Sequence, residues 1–311
     1  MIVTVTLNAA LDVTYEVEAL VPHGSHRVTK VLRKRAGGKG VNVARVLAAL
    51  GHPTLVTGFA GGPTGRVIRD DLRAAGLRDA LVPVDGDSRR TVTVVSRRDG
   101  DATVFNEPGV QVSPTEWDDF ADRFPRLVRD AQVVVLSGSL PPGLPSDAYA
   151  ELIRTSHAAG AATVLDTSGP ALLDALSAGP TIVKPNADEL VEVTGRTDVA
   201  RAAAELRGHG ARAVVTSRGP DGLLAVTRAG HWRAVPPERL SGNPTGAGDA
   251  CVAALAAGLA GGRPWEALLR EAVALSAAAV PCPVAGDFDA GVLHRFRTRV
   301  HVEKLSAAHA C

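Results

Sequence analysis

Cysteine is scarce here: three residues in 311, at positions 251, 282 and 311, far apart and with no CxxC. That spacing excludes a disulfide framework and a cysteine zinc site. Unpaired thiols fit a reducing compartment, so a cytoplasmic location is expected. Nine histidines show no HExxH or other ligand spacing. Charge of one sign is also missing. The net charge is +1, which leaves no electrostatic footprint for nucleic acid or a membrane surface, and neither is expected as a partner. Long apolar runs are absent too. The most apolar stretches, 247–260 and 271–280, are too short and too rich in Ala and Gly to span a bilayer. The opening Met1-Ile2-Val3-Thr4-Val5-Thr6-Leu7 has no basic region before a long apolar one, so it reads as a strand and not a leader.

What is present is an α/β rhythm. Hydrophobic residues make up 45% and charged residues 22%, as in an ordinary globular chain. Strand-like runs at 54–58, 81–84, 133–136, 162–165, 181–183 and 213–216 alternate with helical stretches at 41–50, 65–75, 146–159, 170–177, 187–193 and 200–209. Short apolar runs separated by amphipathic helices predict a mostly parallel sheet covered on both faces. Helices at 247–260 and 264–280 follow. Two stretches break the rhythm. Residues 13–34 and 91–105 alternate polar and apolar residues, and the second turns at Asp99-Gly100 as a hairpin does. Together they predict a small antiparallel sheet, a lid over about 13–34 and 88–107 inserted in one domain spanning 1–311. Its apolar face needs cover from substrate, a second copy of the chain, or both. A homodimer through these strands is expected. The tail beyond about Lys304 is expected to fray.

Glycine clusters carry the chemistry. Asn243-Pro244-Thr245-Gly246-Ala247-Gly248-Asp249 runs into a helix. Paired glycines let backbone amides converge on an anion, and a helix start favours negative charge there. Asp249 then reads either as a base beside a phosphoryl cradle or as an ordinary first-turn carboxylate. A second cluster, Gly37-Gly38-Lys39-Gly40-Val41-Asn42, joins a strand to a helix and sets a cation and an amide beside glycines. It lacks the GxxxxGK[ST] spacing of a P-loop. Asn186 and Glu189, three apart after a strand, suit either a Mg²⁺ held largely through water or a helix-capping pair, and spacing alone favours the cap. Asp12, after the first strand, can bind sugar hydroxyls or close an Asx-turn. Ser137-Gly138-Ser139 is no GxSxG elbow. Residues 58–62 lack the dinucleotide glycine spacing. Nearly all these motifs follow parallel strands, where open α/β sheets bind ligands.

AGGKGVNVARVLAALG and NPTGAGDACVAAL together resemble the two signatures of the PfkB (ribokinase-like) carbohydrate kinases. TLNAALD, SGSLPPGLP, VLDTSG, VKPNADEL and VTSRGPDG lie in the matching order, so the resemblance covers nearly the whole chain. TLN-x-x-x-D with GGKG resembles the phosphosugar branch of that family. The resemblance implies a three-layer α/β/α ribokinase-like core with a β lid, ATP and Mg²⁺ as cofactors, and a small phosphosugar as substrate. It implies Asp249 as base, with Gly246, Ala247 and Gly248 as anion hole. Asp12, Gly37, Gly38 and Asn42 would meet the sugar, and Lys39, Arg89 and Ser139 its phosphate. Lys184, Asn186, Thr245 and the loop carrying Ser217, Gly219 and Gly222 would serve the nucleotide. Glu189 and Asn186 would serve Mg²⁺, against the reading from spacing. Three positions depart from the pattern: Ala9 replaces a usual Pro, Thr91 a usual Asn, and Thr245 a small apolar residue.

Overall fold

The computed structural model describes residues 1–305. In chain order the first half contains β1 (Ile2–Thr6), β2 (Ala10–Val17), β3 (Val28–Gly37), α1 (Lys39–Ala49), β4 (Thr54–Gly61), α2 (Gly62–Ala74), β5 (Arg78–Val84), β6 (Arg89–Ser96), β7 (Ala102–Asn106), α3 (Pro114–Val128) and β8 (Val133–Ser137). The second half contains α4 (Ala148–Ala158), β9 (Ala162–Asp166), α5 (Gly169–Leu176), β10 (Ile182–Val183), α6 (Ala187–Thr194), α7 (Val199–Gly208), β11 (Ala213–Ser217), β12 (Leu223–Thr227), β13 (Gly230–Val235), α8 (Ala247–Ala260), α9 (Trp265–Ala279), α10 (Ala290–Arg297) and β14 (His301–Leu305).

Ten strands form the main sheet, in the order β14-β13-β12-β11-β10-β9-β8-β1-β4-β5. From β11 to β5 all neighbours run parallel, and β12, β13 and β14 add an antiparallel edge. Side chains alternate across the sheet, so the central strands serve two cores. On β8, Val133 and Val135 join α1, α8, α9 and α10, whereas Val134 and Leu136 pack with α3, α4, α5 and α7. That is the expected α/β/α layering. Cys251 lies in the first core, where burial pushes its thiol up to about 12; it is packing and no nucleophile. Cys282 is also unpaired, and Cys311 lies outside the described residues. No described helix is long and apolar enough to cross a membrane.

The second sheet has four strands, β3-β2-β6-β7. Its outer pairs are antiparallel, as expected, but β2 and β6 run parallel over eight residues, from Ala10↔Arg89 to Val17↔Ser96. The wholly antiparallel expectation is therefore corrected. Both hairpins leave the core from the same end, so their first strands lie side by side in the same sense. The sheet is moored by Asp71 of α2, which accepts from Ala36 N at 2.8 Å and pairs with Arg45, and by Arg35 with Asp287 at 3.4 Å. At the C-terminus, Lys304 and Leu305 belong to β14 and pair with Trp232 and His231. The rest of the tail expected to fray lies outside the described residues.

Candidate active site

The parallel strands all deliver their C-terminal ends to one face. There β1 leads to Asn8 and Asp12, β8 to Ser139, β9 to Asp166, β10 to Lys184 and Asn186, and β11 to Ser217. The starts of α1 and α8 meet the same face. A cavity of about 1280 Å³ opens between them. Asp12, Gly38, Lys39, Asn42 and Arg89 line one end. Lys184, Asn186, Glu189, Ser217, Gly219 and Gly222 line the other, and Thr245 to Asp249 lie between. Ser139 instead lines an adjoining cavity of about 440 Å³ that shares Gly38, Lys39 and Arg89 with the first. Gly37 lines neither cavity. A Cβ there would lie 2.0 Å from Asp12 Oδ2, so its glycine leaves the space that Asp12 occupies.

Gly246 caps α8 with φ +90°, a backbone state that disfavours any side chain, and an added Cβ would lie 2.6 Å from Ala285 Cα. No side chain caps this helix. The Ala247 amide is bonded to Pro244 O at 3.1 Å. That leaves Gly248 and Asp249 as first-turn amides for an anion, with the helix dipole behind them. Asp249 is 7% exposed, and its Oδ2 accepts from Asn42 Nδ2 at 2.8 Å. Burial and then the charge of Asp166 push its carboxyl up to about 7, against the pull of Asn42, Lys39 and Lys184. Such a carboxyl can accept a proton near neutral pH. Burial likewise raises Asp12 to about 6, with Arg89 and Thr91 opposing it.

Asp166, 1% exposed, received no role in the sequence reading, yet it joins the two ends of the cavity. Its Oδ1 lies 3.2 Å from Lys184 Nζ, its Oδ2 lies 3.5 Å from Lys39 Nζ, and Ser137 donates to it at 3.2 Å. Burial opposes its charge, but the two lysines outweigh burial and hold it below the ordinary carboxylate range. Burial also opposes the charge of Lys184, and Asp166 reverses that and raises it. The available signal was VLDTSG at a strand end, but which lysines it would meet is a matter of tertiary structure. Thr91 stands opposite Asp12 in the β2–β6 register and lines the large cavity. Arg90 points elsewhere. Its N–H donates to Glu107 at 2.7 Å and its guanidinium pairs with Asp87 at 3.4 Å. An apolar slot of Leu240, Val273, Ala277 and Val280, also unread in the sequence, lines the end of the cavity that carries Ser217 to Gly222.

Asn186 and Glu189 do form the capping box that spacing favours: Asn186 Oδ1 accepts from Glu189 N at 2.7 Å, and Glu189 Oε2 from Asn186 N at 2.9 Å. Both line the cavity as well. No group of three or more His, Cys, Asp or Glu among the described residues could cage a metal. One carboxylate with an oxygen to spare fits a Mg²⁺ that keeps its waters and rides on phosphate groups.

A buried proton acceptor beside an amide cradle, with cations at both ends, defines a site for moving a charged group onto a hydroxyl. The comparisons with known proteins agree. Residues 5–289 match the pfkB family carbohydrate kinases. The chain is 41% identical over 266 residues to a 1-phosphofructokinase of Xanthomonas campestris, covering 83% of each chain. It is 31% identical over 280 residues to a tagatose-6-phosphate kinase of Staphylococcus epidermidis, covering 88% of this chain and 89% of that one. Phosphofructokinase-2 of Escherichia coli, solved in complex with potassium, superposes with a TM-score of 0.90 at 31% identity, over 96% of this chain and 98% of that one. The chain belongs to the pfkB family of carbohydrate kinases, and is a phosphotransferase with a ribokinase-like fold.

Proposed function

We propose that this chain is an ATP-dependent 1-phosphofructokinase, within a single domain of residues 1–311 whose small sheet acts as a lid. It transfers the γ-phosphoryl group of ATP to the 6-hydroxyl of fructose 1-phosphate, giving fructose 1,6-bisphosphate and ADP. The observation that carries this reading is Asp249, buried on Asn42 in the large cavity that Lys39, Arg89 and Lys184 also line. Asp249 takes the hydroxyl proton as the sugar oxygen forms its bond to γ-phosphorus and the bond to the β–γ bridging oxygen breaks. The Gly248 and Asp249 amides hold the charge on the moving group, and Lys39 and Lys184 flank it. Glu189 and Asn186 would hold Mg²⁺, which would neutralise phosphate charge there. Asp12 and Asn42 place the sugar, and Arg89, Lys39 and Ser139 hold its phosphate. Ser217, Gly219, Gly222 and Thr245 contact the nucleotide. Lid closure excludes water, the competing acceptor. A cytoplasmic location and a homodimer through the lid complete the reading.

Tagatose-6-phosphate kinase is the second reading, supported by the relative of that name. A regulator without catalysis fits less well, because a base and an amide cradle are both in place. One panel decides: ADP release measured with fructose 1-phosphate, tagatose 6-phosphate, fructose 6-phosphate and unphosphorylated fructose. The highest kcat/KM on fructose 1-phosphate is expected. A preference for tagatose 6-phosphate selects the second reading, and no sugar-dependent ADP removes the kinase.

A further inference from the structure

The cavity of about 440 Å³ has one wall without a role so far. Strand β9 ends at Asp166, and Thr167 and Ser168 then lead into α5; both line this cavity. Ser168 is the N-cap of α5, in extended backbone with φ −134° and ψ 173°, yet its hydroxyl caps nothing. A serine at that position ordinarily accepts from an amide of the first turn. Here the first turn of an eight-residue helix is left uncapped by any side chain. The second observation is Thr167. It is 3% exposed and lines the cavity, and no described residue hydrogen-bonds its hydroxyl. The hydroxyl is not among the side-chain atoms sealed from solvent, so it opens to the cavity, where water or a ligand can satisfy it.

Lys39, Arg89 and Ser139 line the same cavity, and Lys39 Nζ lies 3.5 Å from Asp166 Oδ2, one residue before Thr167. Ser139 Oγ accepts from Asn8 Nδ2 at 3.1 Å, so its own proton is free to donate. The one carboxylate on the wall, Glu107, is engaged by the Arg90 N–H at 2.7 Å. Donors from three turns therefore gather on one cavity. A phosphate monoester has three terminal oxygens, and two cations with one hydroxyl leave acceptor positions unmet. Hydroxyls and an open helix start meet them, and the helix dipole adds to the attraction.

We propose that Thr167, Ser168 and the uncapped start of α5 complete the pocket for the phosphate that the sugar already carries, alongside Lys39, Arg89 and Ser139. This rests on the phosphosugar-kinase reading. The deciding variant is Ser168→Asp. An aspartate there can cap α5 and suit its dipole, so the thermal midpoint should hold or rise. The same carboxylate would repel a phosphate. Calorimetric titration with fructose 1-phosphate, without nucleotide, should show affinity falling at least about 100-fold, the upper end for losing a charged hydrogen bond. Thr167→Val, matched in shape, should raise the KM for fructose 1-phosphate about 5–10-fold. Its kcat and its KM for ATP should stay within about twofold, and residual turnover of unphosphorylated fructose should not change. If the wild type binds fructose 1-phosphate and both variants bind it equally well, the inference is overturned and the kinase reading stands. If Ser168→Asp does not fold, Thr167→Val alone decides. A wild type that neither binds nor phosphorylates any sugar phosphate overturns the reading beneath it.

Discussion

Asp249 is a carboxylate where charge is disfavoured, and that gives it a measurable signature. Its carboxyl titrates at about 7 in the folded chain against an ordinary value of 3.8. The proton-accepting form therefore appears as pH rises through about 7, and kcat/KM for the sugar should climb with that apparent pKa. Stability has the opposite sign. A raised carboxyl contributes stability below pH 3.8 and loses it as pH rises to about 7, so the ligand-free protein should weaken across that window. Asp249→Asn keeps the hydrogen bond to Asn42 within reach but removes the acceptor, and turnover should fall about 10²–10⁴-fold. ATP binding should survive, and near-normal turnover of the purified variant would end the assignment. Lys39→Met should weaken fructose 1-phosphate binding about 10–100-fold and should cost residual turnover of unphosphorylated fructose less, since only the contact with the moving group is lost there. Equal losses on both would mean that Lys39 does not read that phosphate. Asp249, Asn42 and Lys39 were legible in the sequence because each sits in a glycine-marked turn. Asp166 was not. A buried carboxylate acquires its meaning from its neighbours, and its two lysines come from distant parts of the chain.

At the scale of elements, the glycines divide by what they clear. Gly37→Ala should push Asp12 aside and raise the sugar KM while leaving the ATP KM in place, because its Cβ would lie 2.0 Å from the Asp12 carboxylate. An unchanged sugar KM would show that Asp12 does not touch the sugar. Helix α3 was missed in the sequence reading, although Ser113-Pro114-Thr115-Glu116 carried its start signal. The structure shows a full capping box there, with Glu116 Oε2 accepting from Ser113 N at 2.7 Å. Ser113→Ala should lower urea stability by about 1 kcal/mol with activity unchanged. The strands and helices bordered by Gly or Pro turns were readable, and their positions match to within a few residues. The small sheet was readable as strands but not as a topology. Alternation of period two reports which face is covered, and it is silent on whether a neighbouring strand runs parallel or antiparallel. Strand β14 and helix α10 left even less periodic trace.

For the molecule as a whole, the small sheet leaves apolar side chains in water. Val28, Val31, Leu32, Val104 and Phe105 are all exposed, on strands β3 and β7, the two edges of that sheet. A second copy would cover them through a two-fold contact. The double change Val31→Lys with Phe105→Lys should shift the solution mass from dimer to monomer and raise the sugar KM more than the ATP KM. A wild type that runs as a monomer at assay concentrations contradicts the dimer.

The parallel pairing of β2 with β6 also makes the small sheet a cantilever. Both strands are rooted at the site end, at Ala10 and Arg89, and both run outward to Val17 and Ser96. At about 3.3 Å per residue the free end lies about 23 Å from the root. A push of about 2 Å at the tip is a tilt of about 5°, which moves the third strand position, that of Asp12 and Thr91, by about 0.6 Å. Displacements approaching 1 Å at a reacting centre are worth up to about 10²-fold in rate. Whatever leans on the outer end of this beam works a reducing lever: a large motion outside becomes a small, graded one beside the sugar. Such a beam is suited to trimming the alignment of the acceptor once the lid has closed.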